Sequence, residues 1–159
     1  MAYIIARIAG KPAMCRSRAV TVSADSKSIE LQIDADARLA AAAGGAARYF
    51  AESAGMLSEA VVELQKSVVA ACQEAFEHLV GEHPHLVVTL ALFADRIEIA
   101  MTHKGGGEPA VGLDRIAGFA DQLGSSGGLG GVDRVQYESR NGLAVTRLTK
   151  YLGHAPRIA

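Results

Sequence analysis

The chain has 159 residues, of which 50% are hydrophobic and 21% are charged, and its formal net charge at pH 7 is −1. This length is typical of one domain, and the apolar content is sufficient for a core and excludes global disorder. The small net charge gives no general attraction to nucleic acid or to an anionic membrane, so we expect neither as a direct partner. Cys15 and Cys72 form no CxxC pair and no disulfide framework, which favours a reducing cytoplasm.

Residues 1–24 are predicted to be an N-terminal extension, ahead of a single domain at residues 25–159. Residues 3–8 have strand propensity, and Gly10, Pro12, Arg16 and Arg18 follow them. We expect the extension to add a strand or to hold a partner. Its apolar stretch has no basic residue before it, and no apolar run reaches the roughly 18 to 20 residues that span a bilayer. Neither a signal peptide nor a membrane segment is therefore predicted.

The first elements of the domain are a strand and an alanine-rich helix. Residues 28–34, "SIELQID", alternate apolar and polar side chains, which is the period-2 pattern of a half-buried strand. Asp36 is placed to cap the helix that follows. Gly44 and Gly45 weaken this helix, whereas Gly55 suits its end.

A second, longer helix is predicted to begin at Ser58 as its N-cap and to end at Gly81. Its apolar positions recur at intervals of three and four residues, which predicts a broad buried stripe. These positions are Val61, Val62, Leu64, Val68, Val69, Cys72, Phe76 and Leu79.

Two hairpins dominate the rest of the chain. Residues 86–93 and 96–103 are predicted strands around a turn at Ala94-Asp95, and residues 133–139 and 143–152 are joined through Asn141-Gly142. Between the hairpins we expect a loop at 104–112, a short helix at 113–123 and an irregular glycine-rich segment at 124–131. The order β-α-α-β-β-α-β-β predicts an α+β fold, a two-layer sandwich with the helices on one face of the sheet.

This order, with a long helix that ends in "EAFEH", resembles the anti-sigma-factor and serine-protein-kinase group of the GHKL (Bergerat-fold) ATPases. The resemblance covers roughly residues 28–152 and implies a histidine-kinase-like ATPase fold with a mixed, mostly antiparallel sheet. In that family the second helix carries a Glu that acts as general base and, four residues later, an Asn that holds Mg²⁺, often followed by a Glu-His pair. Glu77 and His78 match the pair, whereas Ala70 takes the base position and Glu74 the Mg²⁺ position.

The adenine-binding positions that the resemblance implies are also altered. The family motif Asp-x-Gly-x-Gly corresponds to "HKGGG", so His103 replaces the acidic acceptor of the adenine amino group, while Gly105 and Gly107 keep the turn. A neutral His can accept that hydrogen bond in only one tautomer. Leu143 replaces a family Thr beside the adenine, so a hydroxyl is missing.

The phosphate-binding stretch allows two alignments. Residues 127–131, "GGLGG", supply a glycine loop, but Asp133 starts a strand at once and no helix N-terminus follows to hold phosphate. The alternative alignment begins at Gly112 and Leu113 and recovers a helix. It leaves four residues after Gly107, so the family's ATP lid is almost absent. We favour the second alignment.

The histidines of the chain are candidate metal ligands. Four of the five histidines lie between His78 and His103, and such side chains suit Zn²⁺, but they form no ligand motif, so we predict no zinc site. Glu74 remains a Mg²⁺ position by resemblance alone. Glu74 and Glu77 could instead be ordinary solvated residues at the end of a helix, with no role in a site. Cys72 lies on the apolar stripe and is expected in the core.

The resemblance leads to two hypotheses about function. In the first, the chain is a degenerate regulatory module of a bacterial partner-switching system and binds a sigma factor or a STAS-domain antagonist without a cofactor. In the alternative, it is an active ATP- and Mg²⁺-dependent serine-protein kinase that phosphorylates such an antagonist. A dimeric structural module is a third, weaker interpretation, and a homodimer is compatible with all three.

Overall fold

The computed structural model describes residues 5–8, 27–104 and 130–153. Within these ranges the chain forms, in order, β1 (Ile5–Ile8), β2 (Lys27–Asp34), α1 (Ala37–Ser53), α2 (Ser58–Phe76), β3 (His85–Leu92), β4 (Arg96–Lys104), β5 (Arg134–Arg140) and β6 (Leu143–Tyr151). Neither of the two helices is long and apolar enough to cross a membrane. Gly105, Gly107, Gly112, Leu113 and the predicted short helix lie outside the described residues.

The strands form one antiparallel sheet in the order β1-β2-β3-β4-β6-β5. One row of paired residues crosses β2, β3, β4 and β6, and each of its members is buried. The row consists of Leu31, Val88, Met101 and Thr146. Alternate residues are therefore buried on the same face of every central strand. Each pairing between the described strands is antiparallel, so the parallel component expected of a mixed sheet is not found among them.

Both helices pack on that buried face. Leu39 and Phe50 of α1 and Leu64 and Val68 of α2 belong to the same core cluster as the inward-facing residues of the sheet. The described chain is thus α+β, and its helices and sheet are compatible with the predicted two-layer sandwich. The strand alternative for the N-terminal extension is confirmed by β1, which pairs with β2 at the edge of the sheet.

The first helix begins and ends where the sequence predicts. The Asp36 carboxylate accepts a 2.8 Å hydrogen bond from the backbone N–H of Arg38, as an N-cap does. Hydrogen bonds from the Arg38 side chain, and then from its backbone, lower the pKa of Asp36 to about 2. Gly55 has φ +72° just after the helix, a left-handed conformation that glycine adopts without strain.

The glycine pair Gly44-Gly45 does not interrupt α1. Gly44 faces α2, where an added Cβ would lie 2.5 Å from Cγ2 of Val69, so glycine permits a close approach of the two helices. Gly45 is exposed and has nothing within 4 Å of an added Cβ. Packing within the chain therefore explains the first glycine and leaves the second unexplained.

Three predictions about α2 are wrong. Ser58 is already helical, and Leu57 takes the N-cap position without a side-chain hydrogen bond. The helix ends at Phe76, well before Gly81, because the backbone N–H groups of the next residues bond to carbonyls three residues earlier and tighten the last turn. Val62, which the apolar pattern placed in the buried stripe, is 39% exposed.

Both predicted hairpins are confirmed. β3 and β4 pair as antiparallel neighbours on either side of Ala94-Asp95, and β5 and β6 pair across Asn141-Gly142. Asn141 and Gly142 have φ values of 54° and 74°, which is the conformation that a two-residue type I′ turn requires.

Candidate functional site

The C-terminal half of α2 carries Ala70 and Glu74, the two positions to which the resemblance assigns a general base and a Mg²⁺ ligand. Ala70 and Glu74 lie one helical turn apart, and both are half-buried. Oε2 of Glu74 is buried, whereas Glu77 is exposed and His78 lies half-buried in the turn after the helix. Glu77 is thus in solvent, whereas Glu74 is partly covered by the fold. Ala70 has only a methyl group and cannot accept a proton.

His103 lies near the end of β4 and is 3% exposed. Its Nδ1 is 3.2 Å from the carbonyl oxygen of Lys104, and its Nε2 is buried and has no hydrogen-bond partner among the described residues. Because a carbonyl only accepts, this contact is a hydrogen bond when Nδ1 carries the proton. In the neutral ring Nε2 is then a hydrogen-bond acceptor, and it is enclosed.

A small pocket of about 100 Å³ opens at the end of the sheet where β3 begins, β4 ends and β6 begins. His103 and Leu143 both line it, so the structure brings together the two positions that the resemblance assigns to the adenine. Ala70 and Glu74 do not line it. Sites for drug-sized ligands and cofactors have volumes of roughly 300 to 1,000 Å³, so this pocket has room for a small group only. The residues that line it are Leu79, Val80, His83, Pro84, His85, Val87, Thr102, His103, Lys104 and Leu143.

Two further histidines, His83 and His85, line the same pocket. The Nδ1 atom of His85 is 3.2 Å from the carbonyl oxygen of His83, a local contact between the first residue of β3 and the loop that precedes it. Within residues 27–104 and 130–153, no group of three His, Cys, Asp or Glu side chains is arranged to hold a metal ion. Glu74 is therefore not part of such a group among the described residues.

The sequence did not predict the contact that connects the glycine-rich segment to α2. Ser67 is buried in the apolar stripe, and its Oγ accepts a 2.8 Å hydrogen bond from the backbone N–H of Gly131. Gly131 lies directly on the backbone of α2 at Glu63 and Leu64. The last N–H of "GGLGG" is thus used within the fold and is not available to bind phosphate. The signal in the sequence was Ser67, a polar residue at a buried helical position.

Cys72 is in the core, as predicted. It is fully buried on α2, and burial raises the pKa of its thiol to about 12. The thiol is therefore protonated at neutral pH and is a poor nucleophile, because the thiolate is the reactive form.

A scan against protein-family models and a search of curated proteins both find no match for this chain.

Proposed function

We propose that this chain is a regulatory protein-binding domain of the anti-sigma-factor type that acts in the bacterial cytoplasm without phosphoryl transfer. The observation that carries the proposal is the methyl group of Ala70 at the position of the family's general base. General-base catalysis contributes typically about 10² to 10⁴ in rate, and a methyl group cannot supply it.

The adenine positions support the same proposal. An adenine amino group needs an accessible acceptor, whereas Nε2 of His103 is enclosed and the pocket beside it is about 100 Å³. The aliphatic side chain of Leu143 offers no hydroxyl. At this position His103 therefore offers the adenine amino group no exposed acceptor.

The rim of this pocket is suited to a protein partner. Val80 is 62% exposed and Leu143 is 39% exposed, and both line the pocket beside the exposed Lys104. Exposed apolar side chains surrounded by polar groups are typical of protein interaction sites. By the resemblance, the partner is a STAS-domain antagonist or a sigma factor, and it would contact the rim of the altered nucleotide site.

Two measurements test the proposal. Calorimetric titration with ATP and Mg²⁺ should detect no binding, and a micromolar dissociation constant would contradict it. Copurification from the native cell should identify a STAS-domain protein or a sigma factor as the partner. With that partner in hand, Leu143→Asp should weaken binding by about tenfold or more, because it places a charge in an apolar contact.

Val62→Asp is the matched control for this experiment. Val62 has the same exposed fraction as Leu143, 39%, but lies on α2 and does not line the pocket. Its substitution should leave the affinity for the partner within about twofold, as expected for a residue outside the contact. Equal losses in both variants would mean that the partner does not bind at the pocket rim.

The alternative function, an active serine-protein kinase, is favoured by the tautomer of His103. With the proton on Nδ1, Nε2 is an acceptor, which is what an adenine amino group would need. Transfer of radiolabelled phosphate from ATP to a STAS-domain partner by the wild-type chain would establish this alternative. Absence of transfer, together with stable binding of the partner, supports the protein-binding domain.

A further inference from the structure

The lining of the pocket at the end of the sheet is basic and contains no acidic residue. Of the ten described residues that line it, four have side chains that can carry a charge: His83, His85, His103 and Lys104. The ammonium group of Lys104 is exposed and forms no ion pair among the described residues, whereas that of Lys150 binds a carboxylate. Every charge that this lining can carry is therefore positive.

His103 is a second and independent indication of a ligand. It is 3% exposed, and its Nε2 is buried with no hydrogen-bond partner in the part of the chain that the structure describes. In the doubly protonated ring, Nδ1 donates to the carbonyl oxygen of Lys104, and the proton on Nε2 has no acceptor among the described residues. A buried charge without a counter-ion is unstable. A negative group in the pocket would supply the missing counter-charge.

The other walls of the pocket are apolar. They are formed by Leu79, Val80, Pro84, Val87 and Leu143. The pocket has a volume of about 100 Å³, which has room for a few water-sized groups. A ligand that suits both kinds of wall is short and has one charged end and one aliphatic end.

We propose that this pocket binds a single carboxylate group on a short aliphatic stem. The carboxylate accepts hydrogen bonds from the basic side chains, and the stem packs against the apolar walls. Two sources present this chemistry, a free short-chain carboxylic acid and the acidic side chain of a protein. The second source rests on the proposed function, because a partner at the pocket rim would bring that side chain, whereas the first source does not.

The affinity should depend on pH, because histidine gains its charge between about pH 8 and pH 5. The ionisable groups around the buried ring are His83 before β3, His85 on β3 and Lys104 on β4, and the turn after α2 and the start of β6 contribute apolar residues to the lining. Two acidic residues adjoin these groups without lining the pocket. Glu82 precedes His83 in the chain, and Asp34 lies opposite His85 on β2.

NMR titration of the wild-type chain with sodium butyrate, at constant ionic strength and pH 6, is the first test. We expect saturable shifts of the backbone amide signals of His85, Lys104 and Leu143, with a dissociation constant in the millimolar range because the ligand has few atoms. At pH 8 the affinity should be about fivefold weaker or less, since the carboxylate stays ionised while the histidines lose charge. Butyramide, which has the same shape without the charge, should not bind. Equal affinity for butyramide, or no saturation with butyrate, would overturn the proposal.

Lys104→Met and Lys27→Met form a matched pair of variants. Both lysines are exposed on strands, but Lys27 lies opposite Leu92, at the end of β3 that is remote from the pocket. Lys104→Met should raise the dissociation constant for butyrate about tenfold, because a charged donor is lost, and Lys27→Met should leave it within about twofold. Equal losses in both variants would mean a general attraction of anions to the chain, which would refute the site.

His103→Phe tests the buried ring. Phenylalanine fills a similar space without a nitrogen, so the difference in butyrate affinity between pH 6 and pH 8 should become smaller. Circular dichroism shows whether this variant folds. His83→Gln, at an exposed position in the loop, gives the same measurement if it does not. A pH dependence identical to wild type in every folded variant would contradict the assignment of the charge to these histidines.

A model of a protein side chain distinguishes the two sources. N-acetylglutamic acid N-methylamide carries its carboxylate between two peptide groups, as a protein would present it. Affinity equal to that of butyrate supports the acidic side chain of a protein, and affinity about tenfold weaker supports a free carboxylic acid. These titrations use no partner protein. Their failure would therefore refute the carboxylate site and leave the partner-binding test with Leu143→Asp unaffected.

Discussion

Replacement of Gly131 by alanine should be one of the most damaging single-methyl changes in the described chain. An alanine Cβ at this position would overlap the carbonyl group of Glu63 and would come within 2.5 Å of the backbone nitrogen of Leu64. These atoms belong to the backbone of α2 and cannot rotate away as a side chain can. The turn before β5 must therefore move outward from the helix.

The expected loss in the free energy of unfolding is the sum of the contacts that this movement removes. The buried hydrogen bond from the Gly131 N–H to Oγ of Ser67 would be lost, and an unsatisfied buried donor costs about 1 to 3 kcal/mol. Forcing an extra methyl group into a packed site costs about 1 to 3 kcal/mol more. Val132, which is also buried, would be pulled from the core. We expect a loss of about 3 to 5 kcal/mol, a large part of the 5 to 15 kcal/mol that stabilises a typical domain.

The assay is urea unfolding followed by circular dichroism, with Gly130→Ala as the matched control. An added Cβ at Gly130 meets nothing within 4 Å, so this neighbouring change should alter the free energy of unfolding by about 0.5 kcal/mol or less. Ser67→Ala removes only the acceptor and should fall between the two. If Gly131→Ala and Gly130→Ala unfold at the same urea concentration, Gly131 does not pack against the backbone of α2.

Three other predictions concern the helices. Ala70→Glu with Glu74→Asn rebuilds the family's base and Mg²⁺ ligand, yet phosphorylation assays should detect no transfer from ATP, because the adenine positions remain altered. Burial raises the pKa of Cys72 to about 12 from an ordinary 9.0, so its contribution to stability is complete below about pH 9. Above that pH the free energy of unfolding should fall by up to about 1.4 kcal/mol per pH unit, and Cys72→Ala should remove this dependence in urea titrations at several pH values. Gly44→Ala should lower the melting temperature, because its Cβ would lie 2.5 Å from Val69.

The parts of the fold that the sequence predicts correctly are determined by local chemistry. Asn141-Gly142 adopts positive φ at both residues, which these two residue types tolerate, and this fixes the register of β5 against β6. Asp36 caps α1 through a hydrogen bond to a residue two positions away. A pattern of a few residues is enough to identify such features.

The features that the sequence predicts wrongly or not at all depend on distant residues. Gly44 is required by the packing of α1 against α2, which the sequence of α1 alone does not indicate. Gly131 bonds to a serine that is 64 residues away along the chain. Val62 fits the helical spacing of apolar residues but is exposed. The spacing shows that a helix has an apolar stripe, but it does not show how wide the buried part of that stripe is. The end of α2 was misplaced because Gly81 is a stronger stop signal than the tightened turn that actually ends the helix.

The candidate site was predictable in part. The predicted strands account for the proximity of His103 and Leu143: Lys104 is opposite Leu143 and His103 is opposite Ala144, so both residues line one pocket. The sequence could not reveal that Nε2 of His103 is enclosed. That fact depends on the packing around the end of β4, where His103 is 3% exposed.

The altered positions lie in two places, and this separation makes their effects distinguishable. Ala70 and Glu74 belong to α2, whereas His103 and Leu143 line the pocket at the end of the sheet. Loss of the base at Ala70 alone would leave ATP binding intact and abolish only transfer, because a general base acts on substrate that is already bound. Glu74, at the Mg²⁺ position, would in addition place a negative charge beside the triphosphate. A defect at the pocket alone would abolish binding even with a base in place. Under the proposed function, ATP binding that stays absent after Glu74→Asn would therefore identify the pocket as the cause, whereas binding restored by Glu74→Asn would identify the charge on α2.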